Sequence, residues 1–146
     1  MTAQRLDGRA LAKKIESELT PKVAALTGKI GRPPRLVVVL VGNVAASASY
    51  VKSKAAAAKR VGITVDVFTV ADSTTTAELV STVEAIGRDE HGPVDGILVQ
   101  LPLPDHVDAR AVLDAVPPDR DVDGFHPVNA GLPVSYTHLT LPTKVT

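Results

Sequence analysis

The chain has no cysteine and no tryptophan, and only two phenylalanines, two tyrosines and one methionine among its 146 residues. Lack of cysteine excludes disulfides, thiolate metal sites and a thiol nucleophile, and it suits a reducing compartment. With so few aromatic residues, a core has to be built from Val, Leu, Ile and Ala. Charge of one sign is also missing, because 16 Lys and Arg offset 16 Asp and Glu. A neutral chain offers no electrostatic reason to expect nucleic acid or an anionic membrane as partner. There is no long hydrophobic run. The longest, Leu36 to Val41, falls far below the ~20 residues that span a bilayer. The opening MTAQRLDGRA has no apolar stretch after its first charges, so no signal peptide is expected. These absences predict a soluble, cytoplasmic protein.

Several chemical signatures are missing as well. No G-x-G-x-x-G follows a strand pattern, VGNVAAS does not supply one, and no G-x-x-x-x-G-K-[ST] occurs. His91, His106, His126 and His138 are scattered, without metal-ligand spacing, so no metal site is expected. Ser47 and Ser49 have no His and Asp partners arranged as a triad.

What is present is the balance of a globular domain, 45% hydrophobic and 22% charged. Leu11, Ile15, Leu19 and Val23 recur every four residues between charged positions, which predicts a helix over 7–27 that Pro21 kinks or restarts. Arg35 to Val41 (RLVVVLV) reads as a strand buried on both faces of a parallel sheet. Tyr50 to Val61 reads as an Ala-rich helix stopped by Gly62, and Thr64 to Val70 as a second strand. Thr75 with Glu78 forms a capping-box pattern that opens a helix carrying Leu79, Val83 and Ile86 on one face. Asp95 to Gln100 is a third strand, halted by Pro102 and Pro104, and Asp108 to Val116 a short helix halted by Pro117 and Pro118. Helices alternating with apolar strands predict an α/β fold, a parallel βαβ sheet flanked by helices. Ligands of such sheets bind beyond the carboxyl ends of the strands, which directs attention to the loops after Val41, Val70 and Gln100.

Three constellations near those loops can carry chemistry. Tyr50 and Lys54 lie one helical turn apart on one face. A lysine amine becomes a proton-transfer group when burial or a neighbouring donor favours its neutral form, and a tyrosine one turn away can orient it. The bland alternative is a solvated lysine on an amphipathic helix, as for Lys52 and Lys59. Gln100 closes the third strand at the rim, where its amide can donate and accept; the alternative is an amide satisfied by backbone. The X-Pro bonds of the following LPLP can be cis or trans. The third constellation is Asp119-Arg120-Asp121-Val122-Asp123-Gly124, which copies the start of an EF-hand calcium loop. Position twelve is Ala130 instead of a bidentate Glu, and Pro117, Pro118 and Pro127 disrupt the flanking helices, which argues against calcium. A carboxylate here can instead accept hydrogen bonds from a pterin-like ring, or simply cap a solvated turn.

The stretches VVLVGNVAASASYVKSKAAAAKRVG (38–62), DGILVQLPLP (95–104) and PPDRDVDGFHPVNAG (117–131) come in one order with consistent spacing. Together they resemble the bifunctional methylenetetrahydrofolate dehydrogenase/methenyltetrahydrofolate cyclohydrolase family, over about residues 5–131. The resemblance implies that Lys54 is the catalytic lysine, that Tyr50 stacks near the folate and assists, and that Gln100 hydrogen-bonds to the lysine and tunes it. It implies that Asp123 anchors the pterin, that Ser47 lies near the site, and that Leu101 and Pro102 help bind substrate. Ala45 stands where proline is usual and Arg120 where lysine is common; neither touches the proposed chemistry. The family oxidises methylenetetrahydrofolate with NADP and hydrolyses the resulting methenyl cation to formyltetrahydrofolate, in one-carbon metabolism and purine biosynthesis. Its members are commonly homodimers.

Family members are roughly twice this length. The expectation is therefore a folate-binding catalytic domain over 1–132, cut short before the Rossmann domain that carries the NADP pocket. Residues 133–146, with Thr at four positions and no period, resemble a translated adapter read-through and are read as a foreign tail. Two other readings stay open, a folate-binding module without catalysis and an unrelated α/β interaction domain. The last would leave Tyr50, Lys54, Gln100 and Asp123 scattered in space.

Overall fold

A computed structural model describes residues 7–42 and 45–131, with the side chains of 45–48 outside the description. In chain order the elements are α1 (Gly8–Ile30), β1 (Arg35–Val41), α2 (Ala45–Val61), β2 (Thr64–Val70), α3 (Thr76–Gly87), β3 (Gly96–Val99) and α4 (Ala109–Asp114). The three strands form one parallel sheet in the order β2-β1-β3. This is the α/β architecture expected from the alternation of helical and β-branched segments.

The run of β-branched residues makes β1 the central strand. Alternate side chains of a strand point to opposite faces, and both faces of β1 are covered. Val37, Val39 and Val41 pack with Leu79, Val83 and Ile86 of α3 and Val112 of α4. Val38 and Leu40 pack with Leu98 and with Val51 of α2. So α2 lies on one face of the sheet, and α3 with α4 on the other. The Thr75–Glu78 capping box is present in full: the Thr75 hydroxyl accepts from the Glu78 N–H, and the Glu78 carboxylate accepts from the Thr75 N–H. It fixes where α3 starts and hence which face it buries.

Two expectations shift. Pro21 does not restart α1, which continues through it as one helix from Gly8 to Ile30. Proline cannot donate to the carbonyl of residue 17, and Ser17 lies on the exposed side of the helix, where that carbonyl is open to solvent. The stripe on α1 is also largely unburied: Leu11, Ile15 and Leu19 are 57%, 46% and 39% exposed, and only Val23 is buried. A four-residue spacing drifts around a helix of 3.6 residues per turn. Moreover, α1 packs on α2 rather than on the sheet, with Arg60 of α2 holding the Glu16 carboxylate at 2.6 and 2.9 Å.

The amino ends of the strands are closed by ion pairs. Arg35 Nε meets Asp66 at 2.6 Å, Arg32 pairs with Asp95, and Arg120 pairs with Asp89. The apolar hollow there, lined by Pro34, Leu36, Ala58, Ile63 and Val122, therefore has no uncommitted charge, since its Arg35 and Asp95 are engaged. The carboxyl ends are different.

Candidate active site

The β2-β1-β3 order means that the chain leaves β1 in one direction through α2 and later returns on the other side as β3. Such a reversal opens a crevice between the carboxyl ends of neighbouring strands. The α2 helix starts just beyond β1, and Gln100 follows β3 directly. The Gln100 N–H donates to the Val39 carbonyl at 2.9 Å, which places its side chain at the rim.

Two of the expected residues meet there. Lys54 Nζ donates to Gln100 Oε1 at 3.2 Å across 46 positions of sequence. The other end of the amide is committed too, because Gln100 Nε2 donates to the Leu101 carbonyl at 2.7 Å. That second bond decides which end of the amide faces the lysine. Lys54 is exposed and one end of the Gln100 amide is satisfied by backbone, so each bland reading holds in part; the contact between the two side chains is what neither includes.

A third chain segment completes the crevice. Beyond α4 the backbone joins the edge of β3: Ile97 N–H donates to the Arg120 carbonyl at 2.7 Å, and Asp121 forms a parallel bridge with Ile97. Running parallel to β3, the chain carries Asp123 and Phe125 towards its carboxyl end. A concavity of about 200 Å³ results, lined by Lys54, Val99, Gln100, Leu101, Asp123 and Phe125. The loss of water around Asp123 raises its carboxyl pKa above the usual value, the Lys54 ammonium opposes that shift, and the Asp121 anion adds to it. Lys54 and Asp123 therefore share one electrostatic environment.

The three alternating aspartates do three jobs. Asp119 is exposed, Asp121 is bonded within its own loop, and Asp123 faces the crevice. Among the described residues no group of three or more His, Asp or Glu could hold a metal ion.

Other expected residues sit at the margin. Tyr50 is one turn from Lys54 but 65% exposed, and it is not part of the lining. The Leu101–Pro102 bond, one of those left open, is cis, with Leu101 in the lining and Pro102 exposed beside it. The side chain of Ser47 and all of 133–146 lie outside the described residues. Phe125 and Val99 line the crevice without having been singled out. Phe125 had one legible signal, as one of only four Phe and Tyr residues in the chain and a neighbour of the aspartate cluster.

Dinucleotide binding finds no match in these residues. Gly42 ends β1 with φ +68°, but a Cβ there would lie 2.8 Å from Asp72 Oδ1, so close packing against Asp72 already accounts for a glycine. Among the described residues, no glycine-rich turn joins a strand to a helix in the manner that receives a pyrophosphate. Nor is any helix among them long and apolar enough to cross a membrane.

Residues 6–123 match the family described as tetrahydrofolate dehydrogenase/cyclohydrolase, catalytic domain. The bifunctional protein FolD of Halothermothrix orenii is 48% identical over 126 residues, 86% of this chain and 44% of that protein. The structure of the bifunctional methylenetetrahydrofolate dehydrogenase/cyclohydrolase from Campylobacter jejuni superposes with a TM-score of 0.81 at 42% identity, covering 94% of this chain and 46% of that one. The corresponding enzyme of Trypanosoma brucei, solved with NADP cofactor and an inhibitor, gives a TM-score of 0.80 at 37% identity and covers 90% of this chain and 44% of that one. The chain thus spans a little under half the length of the relatives it matches. With its sheet order, its crevice and a match running through most of its length, the chain belongs to the tetrahydrofolate dehydrogenase/cyclohydrolase family.

Proposed function

We propose that this chain is the substrate-binding and catalytic half of an enzyme that oxidises methylenetetrahydrofolate to the methenyl cation and hydrolyses that cation to formyltetrahydrofolate. The observation that carries the reading is the Lys54–Gln100 contact at 3.2 Å, in a crevice that also holds Asp123. Nothing but the sheet topology brings these residues from separate segments to one place.

The hydrolytic step follows from the groups present. Water adds its oxygen to the amidinium carbon and gives up a proton; the bond from that carbon to a ring nitrogen then breaks, and the nitrogen takes a proton. One group able to accept and return a proton serves both events. Lys54 Nζ, as the neutral amine, is that group. Gln100 Oε1 takes one of its N–H bonds and so aims the nitrogen into the crevice. Asp123 accepts hydrogen bonds from the amino and ring N–H groups of the pterin, with Leu101 of the lining and its exposed neighbour Pro102 flanking the ring. Tyr50, on the exposed turn before Lys54, covers the open side of the bound folate, and Ser47 lies near it.

NADP, the oxidant of the family reaction, has no matching turn among the described residues, and no step is derived through it. Its pocket belongs to a further domain. In the same reading, 1–132 is the folate domain, 133–146 is unrelated to it, and the intact enzyme is a cytoplasmic homodimer of one-carbon metabolism supplying purine biosynthesis.

The test replaces the lysine matching Lys54 by methionine in a full-length relative and follows methenyltetrahydrofolate hydrolysis by its absorbance. A positioned acid/base supplies ~10²–10⁴ in rate, and turnover should fall by that amount. Full hydrolysis in the mutant removes the lysine from the mechanism. Folic acid binding by the wild-type chain without any hydrolysis in the relative would instead favour a binding module.

A further inference from the structure

The aspartate two residues upstream of the pterin-facing carboxylate has no assigned part in this site. Asp121 Oδ1 accepts from the Gly124 N–H at 3.0 Å, and Oδ2 accepts from the His126 N–H at 2.9 Å and from Asn129 Nδ2 at 3.0 Å. Asn129 Nδ2 also donates to the Pro118 carbonyl at 2.6 Å. One carboxylate thus gathers the chain from 118 to 129 around itself. At its base the loop is fixed to the sheet through Ile97 and to the turn after α3 through the Arg120–Asp89 pair.

Burial of apolar surface does not account for this arrangement. Val122, Phe125 and Val128 remain half-exposed or more, so ordering the loop buries little apolar surface. Fixing each backbone residue costs roughly 1–2 kcal/mol, and here hydrogen bonds rather than core packing offset that cost. The residues held in place by them include the two that this loop contributes to the crevice, Asp123 and Phe125.

We infer that Asp121 is a positioning residue: its carboxylate, by binding the amides of Gly124 and His126 and the side chain of Asn129, holds Asp123 at the distance from Lys54 that substrate binding needs. This rests on the folate reading above. Burial of the Asp121 carboxyl is outweighed by its bonds from Asn129 and from the His126, Phe125 and Gly124 amides, which hold its pKa below the usual value. It is therefore an anion at neutral pH, as multiple acceptance requires.

The experiment is a double-mutant cycle on the whole chain, with folic acid as probe. If Asp121 acts through Asp123, Asp121→Ala weakens folic acid binding about tenfold alone but less than about twofold when Asp123→Ala is already present. Asp121→Asn keeps one acceptor oxygen, and its loss should be intermediate; it carries the same cycle should the alanine variant not fold. Additive effects, or binding unchanged by Asp121→Ala, overturn the positioning role and leave the folate reading standing. A wild-type chain with no affinity for folic acid overturns both.

Discussion

Gly96→Ala tests the coupling between the sheet and the crevice. A Cβ on Gly96 would stand 2.7 Å from Val122 Cγ1 and 3.4 Å from Leu36 Cδ1. Carbon atoms at optimal contact are about 3.5–4.0 Å apart, so something has to move by about 1 Å. Removing a strand glycine normally stabilises by roughly 0.5–1 kcal/mol, whereas overpacking costs roughly 1–3 kcal/mol. The second effect wins. What yields is decided by support: Leu36 belongs to the central strand, while Val122 is half-exposed on the loop. The loop therefore shifts, taking Asp123 with it. A 1 Å shift takes a hydrogen bond outside the ~2.7–3.2 Å range, and losing one to a charged group costs roughly 1.5–3 kcal/mol. That corresponds to about tenfold or more in Kd. Thermal melts and folic acid titrations of wild type and variant measure both effects: the melting point should fall by a few degrees and Kd rise at least about tenfold. A variant that melts higher and binds folic acid as well as wild type refutes the reasoning.

Leu79 is fully buried in the core between the sheet and α3, and Leu79→Ala should cost ~3–5 kcal/mol by transfer and cavity terms. A melting point lowered by about 10–20 °C is expected; a drop under about 3 °C would mean that α3 is not seated as described. Acid should act through Asp95, Asp89 and Asp121. Asp95 is lowered chiefly by its bond from Arg32, Asp89 chiefly by its bond from Arg120, and Asp121 by the loop amides and Asn129 acting against burial. Groups with depressed folded pKa values stabilise above the ordinary value of 3.8 and lose that contribution as pH falls through the folded value. Asp123, whose pKa is raised, has the opposite sign: its contribution is present below 3.8 and is lost as pH rises through its folded value. Melting points measured from pH 7 downward should hold near pH 4 and fall below it, less steeply in Asp95→Asn; a flat profile to pH 2 would remove these pairs from the stability of the fold.

Strand and cap positions were legible because local chemistry sets them. Seven consecutive residues from Arg35 form a strand that could bury only inside a parallel sheet, and the Thr75–Glu78 spacing marks a helix start to the residue. The fate of α1 was not legible: Leu11, Ile15 and Leu19 have helical spacing, but spacing does not say whether a neighbour exists to cover them. In the crevice, Lys54 and Gln100 could be named from their places beyond the strand ends, whereas their contact depends on β3 lying beside β1, a pairing between distant segments. The division of labour among Asp119, Asp121 and Asp123 was hidden for a related reason. Alternate positions look equivalent until the bridge to Ile97 decides which side chain turns inward.

The Gln100 N–H bound to the Val39 carbonyl is the last rung joining β3 to the central strand. Terminal rungs break most often, through local openings that leave the rest of the molecule intact. An opening here would carry the amide away from Lys54, and under the proposed chemistry that would tie readiness for reaction to a single strand end rather than to the stability of the whole domain.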